Sequence, residues 1–148
     1  MLLYEQVRED MKAAMKAGEK ERLETLRFAL SGLNAAQKEK EMKEPGVELT
    51  NAETIAVLQK EAKRRKESIE LFRQGKRDDL VEKETAGLAI IQAYLPEELS
   101  RDAIAKIVDE KKAQGFNDFN ALMRETMKDV KGRADGKLVG EVIKERLL

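Results

Sequence analysis

Between Thr50 and Gly75 the chain places Ile55, Leu58, Ala62, Arg65, Ile69 and Phe72 at successive spacings of three and four residues. That period keeps all six on one face of an α-helix and would scatter them over both faces of a strand. Thr50-Asn51-Ala52-Glu53 opens the segment with the form of a capping box, and Gly75 follows its end as a stop signal. A second helix precedes it, with Leu23, Leu26, Leu30 and Leu33 as its seam and a charged extension from Lys38 to Lys43, ended by Pro45-Gly46. Two helices of about twenty residues, each on the order of 30 Å long and joined by a short connection, predict an antiparallel hairpin.

The flanking segments follow the same period. Leu3, Val7, Met11 and Met15 recur every fourth residue in a first helix broken near Gly18. Asp78 or Asp79 is placed to cap a fourth helix, whose apolar face is Leu80, Leu88, Ile91 and Leu95, and Pro96 ends it. Arg65 and Glu84 interrupt otherwise apolar seams; they could meet in an ion pair or each reach solvent separately.

After Pro96 the helices become short. Ser100 caps one carrying Ile104, Ile107 and Val108 that ends at Gly115; Asn117 caps another carrying Leu122, Met123, Met127 and Val130; the last carries Leu138, Val142, Ile143 and Leu147. The expectation is an all-α protein with a long antiparallel helical hairpin domain at 1–95 and a small three-helix domain at 96–148.

Composition narrows the chemistry. The chain of 148 residues has no histidine and no cysteine, which removes the usual general base at neutral pH, thiolate nucleophiles, thiolate zinc sites and disulfides. No nucleotide loop, amidase constellation or metal-ligand cluster stands in the sequence, so no cofactor, metal or catalytic residue is assigned. Twenty-nine basic residues balance twenty-nine acidic ones, leaving no overall field toward nucleic acid or an anionic membrane; an electrostatic partner must be read by a local patch. The N-terminus lacks the apolar core of a signal peptide and no segment is a membrane helix, which reads as a cytoplasmic protein.

Two local patches stand out. From Lys60 to Arg77 eight basic residues face three acidic ones, enough for a phosphate stripe centred on Lys63, Arg64 and Lys66, or for a solvated face with internal pairs such as Glu61 with Arg65. The second is Lys131-Gly132-Arg133-Ala134-Asp135-Gly136-Lys137. Here Gly132 ends one helix, Asp135 caps the next, and Lys131, Arg133 and Lys137 gather near a helix N-terminus that already favours an anion. Aromatic residues sit mostly at core positions, so base stacking is not signalled.

Three stretches carry a likeness: Glu9 to Lys16 with Leu26-Arg27, Tyr94 to Ser100, and Met123 to Val139 with the basic turn. Along its whole length the chain resembles the YqeY family, whose members are similar to the C-terminal helical tail of the GatB subunit of glutamine-dependent aminoacyl-tRNA amidotransferase. The tails have a related turn, usually with proline where this chain has Gly136. The resemblance implies a tRNA-engaging role, since activation and ammonia transfer belong to other parts of that complex. A family label of carbon-nitrogen ligase with glutamine as amide donor would then be inherited without its chemistry. The reading is a non-catalytic accessory module binding tRNA or another structured RNA. The alternatives are a helical adaptor for a protein partner and, more distantly, a free-standing amidotransferase.

Overall fold

The computed structural model describes Met1–Leu148 as seven α-helices without a strand. The helices fall into two compact units, Met1–Leu95 and Pro96–Leu148.

The first unit holds α1 (Leu3–Ala17), α2 (Lys20–Lys43), α3 (Asn51–Gln74) and α4 (Asp78–Gln92). Gly18 separates α1 from α2 by taking a left-handed φ of 72°, which lets its N–H reach the last carbonyls of α1. The helices α2 and α3 run antiparallel. Their partners descend in step, from Lys40 against Glu53 at 2.5 Å, through Gly32 facing Val57, to Phe28 beside Arg65. Thr50 starts α3 with a full capping box: its hydroxyl accepts from the Glu53 N–H at 3.1 Å while the Glu53 carboxylate accepts from the Thr50 N–H at 3.0 Å. α4 packs along α3, and α1 along α2. Val7, Leu26, Leu33, Leu58 and Ile91 are fully buried between them; each contributes about 1.5–3 kcal/mol through burial.

Gly75 follows the last residue of α3 as the sequence predicts, with an ordinary φ of −79°, and the left-handed φ of 56° falls on Lys76. Two features of α4 differ from the sequence expectation. Neither Asp78 nor Asp79 caps α4: both lie inside its first turn, where their charge favours the helix dipole, and Asp79 accepts two N–H groups of Arg77 at 3.2 Å. Pro96 is not the direct stop either, because α4 ends at Gln92 and the chain turns through Ala93 to Leu95.

The second unit packs α5 (Arg101–Ala113), α6 (Phe119–Val130) and α7 (Gly136–Leu147) mutually around Ile104, Val108, Leu122, Val130, Val139 and Ile143. Ser100 caps α5 through the Ala103 N–H at 3.1 Å. The cap of α6 is Asp118, accepting from the Ala121 N–H at 2.8 Å, while Asn117 donates to the Gly115 carbonyl. A carboxylate at that position adds charge to the capping bond, which favours Asp118 over its neutral neighbour. Exposed ion pairs from Arg101 to Glu141 and Glu145, and from Arg146 to Asp109, stitch α5 to α7; each such surface pair contributes about 0–1 kcal/mol.

Candidate nucleic-acid interface

The turn between α6 and α7 is built almost entirely by backbone. Lys131 closes α6, Gly132 takes a left-handed φ of 88°, and the Arg133 N–H returns to the Val130 carbonyl at 2.7 Å. A side chain at Gly132 would be strained in that conformation. The Arg133 carbonyl accepts the Leu99 N–H at 2.6 Å, so the start of the unit is tied to the turn. Asp135 caps α7, accepting from the Lys137 N–H at 3.3 Å.

This scaffold leaves the side chains of Lys131, Arg133 and Lys137 exposed. Arg133 bends back on α6, its Nη2 donating to the Asp129 carbonyl at 3.1 Å, a favourable place for a cation at a helix C-terminus. The Asp129 carboxylate is held by Lys111 at 3.0 Å. Lys131 and Lys137 have no carboxylate at ion-pair distance. Gly136 is the first residue of α7, with room for a side chain, since an added Cβ would meet only Met123 at 3.7 Å. A proline suits that first helical position, so glycine here keeps the same helix start without fixing φ.

Lys63, Arg64 and Lys66 lie on the exposed side of α3, in the other unit. Arg64 is paired with Glu61 at 3.6 Å. The neighbouring Arg65 is turned inward with its side chain 12% exposed, donating from Nε to Glu61 at 3.1 Å and from Nη1 to Glu84 at 3.2 Å. The two interruptions of the apolar seams thus form an ion pair, joined by Glu61, itself nearly buried. Gly87 makes this possible: a Cβ there would stand 2.4 Å from Nη1 of Arg65. Further along, Arg73 pairs with Glu70 and Arg77 with Asp79. All four arginines of the stripe therefore have partners within the protein.

Other titratable pairs are structural. Burial and the hydrogen bond to Asp10 at 2.5 Å push the Tyr94 hydroxyl well above its usual range, tying the end of α4 to α1. The hydrogen bond from Lys128 holds the Glu125 carboxyl below the ordinary range. No three His, Cys, Asp or Glu side chains are grouped to hold a metal ion, and no helix is long and apolar enough to cross a membrane. The burial of Glu61 carried no signal in the sequence beyond its i, i+4 spacing to Arg65, because that spacing is equally common on solvated faces.

The family model described as Yqey-like protein matches residues 4–147. A Pyrenophora tritici-repentis protein, Altered inheritance of mitochondria protein 41, mitochondrial, is 34% identical over 92% of this chain and 76% of its own length. Its namesake from Lachancea thermotolerans is 37% identical over 60% of the chain and 46% of its length. One glutamyl-tRNA(Gln) amidotransferase subunit of Natronomonas pharaonis is 33% identical over 43% of this chain, a match covering 10% of that protein. With a family model spanning almost every residue of a wholly helical fold, the chain belongs to the YqeY-like protein family.

Proposed function

We propose that this protein is a non-catalytic RNA-binding accessory module whose ligand is tRNA or another structured RNA, held at the turn between α6 and α7. The observation that carries the reading is the pair Lys131 and Lys137, exposed and without acidic partners on either side of the Asp135-capped start of α7. Two uncommitted ammonium groups beside oriented backbone N–H groups suit a phosphate backbone. The partial likeness to a subunit of a glutamyl-tRNA(Gln) amidotransferase supports tRNA as the class. The absence of histidine and cysteine from the chain supports a binding role. The compartment is one that translates, the cytoplasm or the mitochondrion named for two relatives.

The test is fluorescence anisotropy of labelled tRNA with the purified full chain over a salt series. Affinity should fall linearly in log-log form as salt rises. Salt-independent affinity, or recovery from lysate of a stable protein partner without RNA, would contradict it. Glutamine- and ATP-dependent transamidation that follows the protein peak through repurification would overturn the non-catalytic part.

A further inference from the structure

The cleft between α2, α3 and α4 has more chemistry than a salt bridge requires. It encloses about 270 Å³, near the lower end of small-molecule sites, which fits a single ring system rather than an extended ligand. Arg65 lies along one wall, oriented by Glu61 and Glu84; both bonds leave from Nε and Nη1, so its Nη2 amino group is uncommitted. Thr25 lines the same space at 7% exposure, and its hydroxyl makes no hydrogen bond within the protein. It points to the Arg65 side of α4, lying 3.3 Å from where a Cβ of Gly87 would stand. The Ser68 hydroxyl, on the α3 side, is likewise without a protein partner. At the rim Phe28 is 53% exposed, with its ring centre 5.8 Å from the Arg65 guanidinium carbon.

The charges select among ligands. Glu61 and Glu84 are held by Arg65, and Glu24 by Lys83, which leaves Glu21 as the unpaired carboxylate of the lining. Four glutamates against the three cations Arg64, Arg65 and Lys83 leave the lining net negative, which disfavours an anion, and a purely aliphatic group would leave the Thr25 and Ser68 hydroxyls unsatisfied. A flat, neutral heterocycle with donors and acceptors on its edge meets every requirement. Its face would stack on Phe28, its acceptors would take the hydroxyls and the Arg65 amino group, and an exocyclic amine would reach Glu21.

We propose that this cleft receives a single nucleobase. The proposal rests on the RNA-binding reading for its principal source, an unstacked base in a loop or at the end of an RNA; a free nucleotide presents the same base. Two probes separate the sources: a single-stranded RNA oligonucleotide carrying 2-aminopurine at its 3′ end, followed by fluorescence and anisotropy, and AMP, followed through the aromatic proton signals of Phe28. Binding of the oligonucleotide should quench the 2-aminopurine. Phe28→Ala should weaken binding roughly 5- to 150-fold, the stacking contribution of one base, without changing the salt slope, because every phosphate contact stays in place. Thr25→Val, which keeps the side chain's shape and deletes its hydroxyl, should weaken binding too, and both variants should melt as the parent does. RNA binding that persists in both variants with no quenching would overturn the base site and leave the RNA reading standing. AMP shifting Phe28 without any RNA binding would support the base site and overturn the RNA reading. Failure of both probes would overturn the base site, while the RNA reading stands or falls separately with the binding of tRNA.

Discussion

Eight basic residues lie in the stretch from Lys60 to Arg77 and three in the turn from Lys131 to Lys137, and the two clusters differ in how their cations are partnered. Along α3 and its exit, Arg64, Arg65, Arg73 and Arg77 each have a carboxylate partner, and Arg65 is withdrawn into the unit altogether. In the turn, Asp129 is occupied by Lys111 and Asp135 by its capping bond, so Lys131 and Lys137 face solvent unopposed. What a phosphate meets is set by pairing rather than by the number of cations in a window. The arginines of the stripe are committed to internal pairs, whereas the two lysines of the turn are free.

The sharpest way to break this contrast is Arg65→Ala. It strands Glu61, whose side chain is 10% exposed, and Glu84 without their cation, so the first unit should lose about 3 kcal/mol of stability, read by denaturant melts. A loss under 1 kcal/mol would mean that Arg65 is as dispensable as a surface cation. Gly87→Ala asks the same question from the other side. The new Cβ would displace Nη1 of Arg65 and break its bond to Glu84. The expected net loss is about 1–2 kcal/mol despite the roughly 1 kcal/mol that alanine gains over glycine inside a helix. A stabilised variant would show that the guanidinium has other places to go.

In the turn, Asp135→Ala should cost about 1 kcal/mol through loss of the α7 cap. RNA affinity should hold or rise, because a negative charge leaves the site; reduced affinity in a fully folded variant would place Asp135 in the contact itself. The smallest effect concerns pH. Hydrogen bonds from the Lys40 ammonium first, then from the Thr50 N–H and hydroxyl, hold the Glu53 carboxyl down to about 2 from 4.5. Since the folded value lies below the unfolded one, the stability it contributes is present above about pH 4.5 and fades as pH falls toward 2. An NMR titration of Glu53 should show this, and Lys40→Met should return the carboxyl toward its ordinary value.

Much of the fold was legible because it rests on local signals. The Leu58 to Phe72 seam, the Thr50 capping box, Gly18 and Gly132 each work through a few adjacent residues, and the structure places them as their spacing implies. The misread boundaries share a cause: where several competent residues adjoin, tertiary context chooses among them. Asp118 took the cap from Asn117, and Asp79 was drawn to Arg77. The candidate sites were legible only as composition. Sequence placed Arg133 in an exposed turn, but its bond to the Asp129 carbonyl depends on the path of the chain through Gly132. Gly87 carries no signal of its own in the sequence, because its purpose is set by an arginine on another helix. Phe28, one of the aromatic residues read as mostly core, lies at the rim of a cleft that exists only once three helices have packed.

The central claim is that the turn, and not the α3 stripe, carries the phosphate contacts. It is tested most directly by the salt dependence of tRNA binding in two triple variants, Lys131→Ala/Arg133→Ala/Lys137→Ala and Lys63→Ala/Arg64→Ala/Lys66→Ala. The turn variant should weaken binding and flatten the log-log slope by roughly 0.7 to 0.9 for each phosphate it no longer neutralises, while its melting changes by no more than about 0.5 kcal/mol. The α3 variant should leave the slope nearly unchanged. The opposite pattern, with the slope flattened by the α3 variant and untouched by the turn variant, would contradict the account.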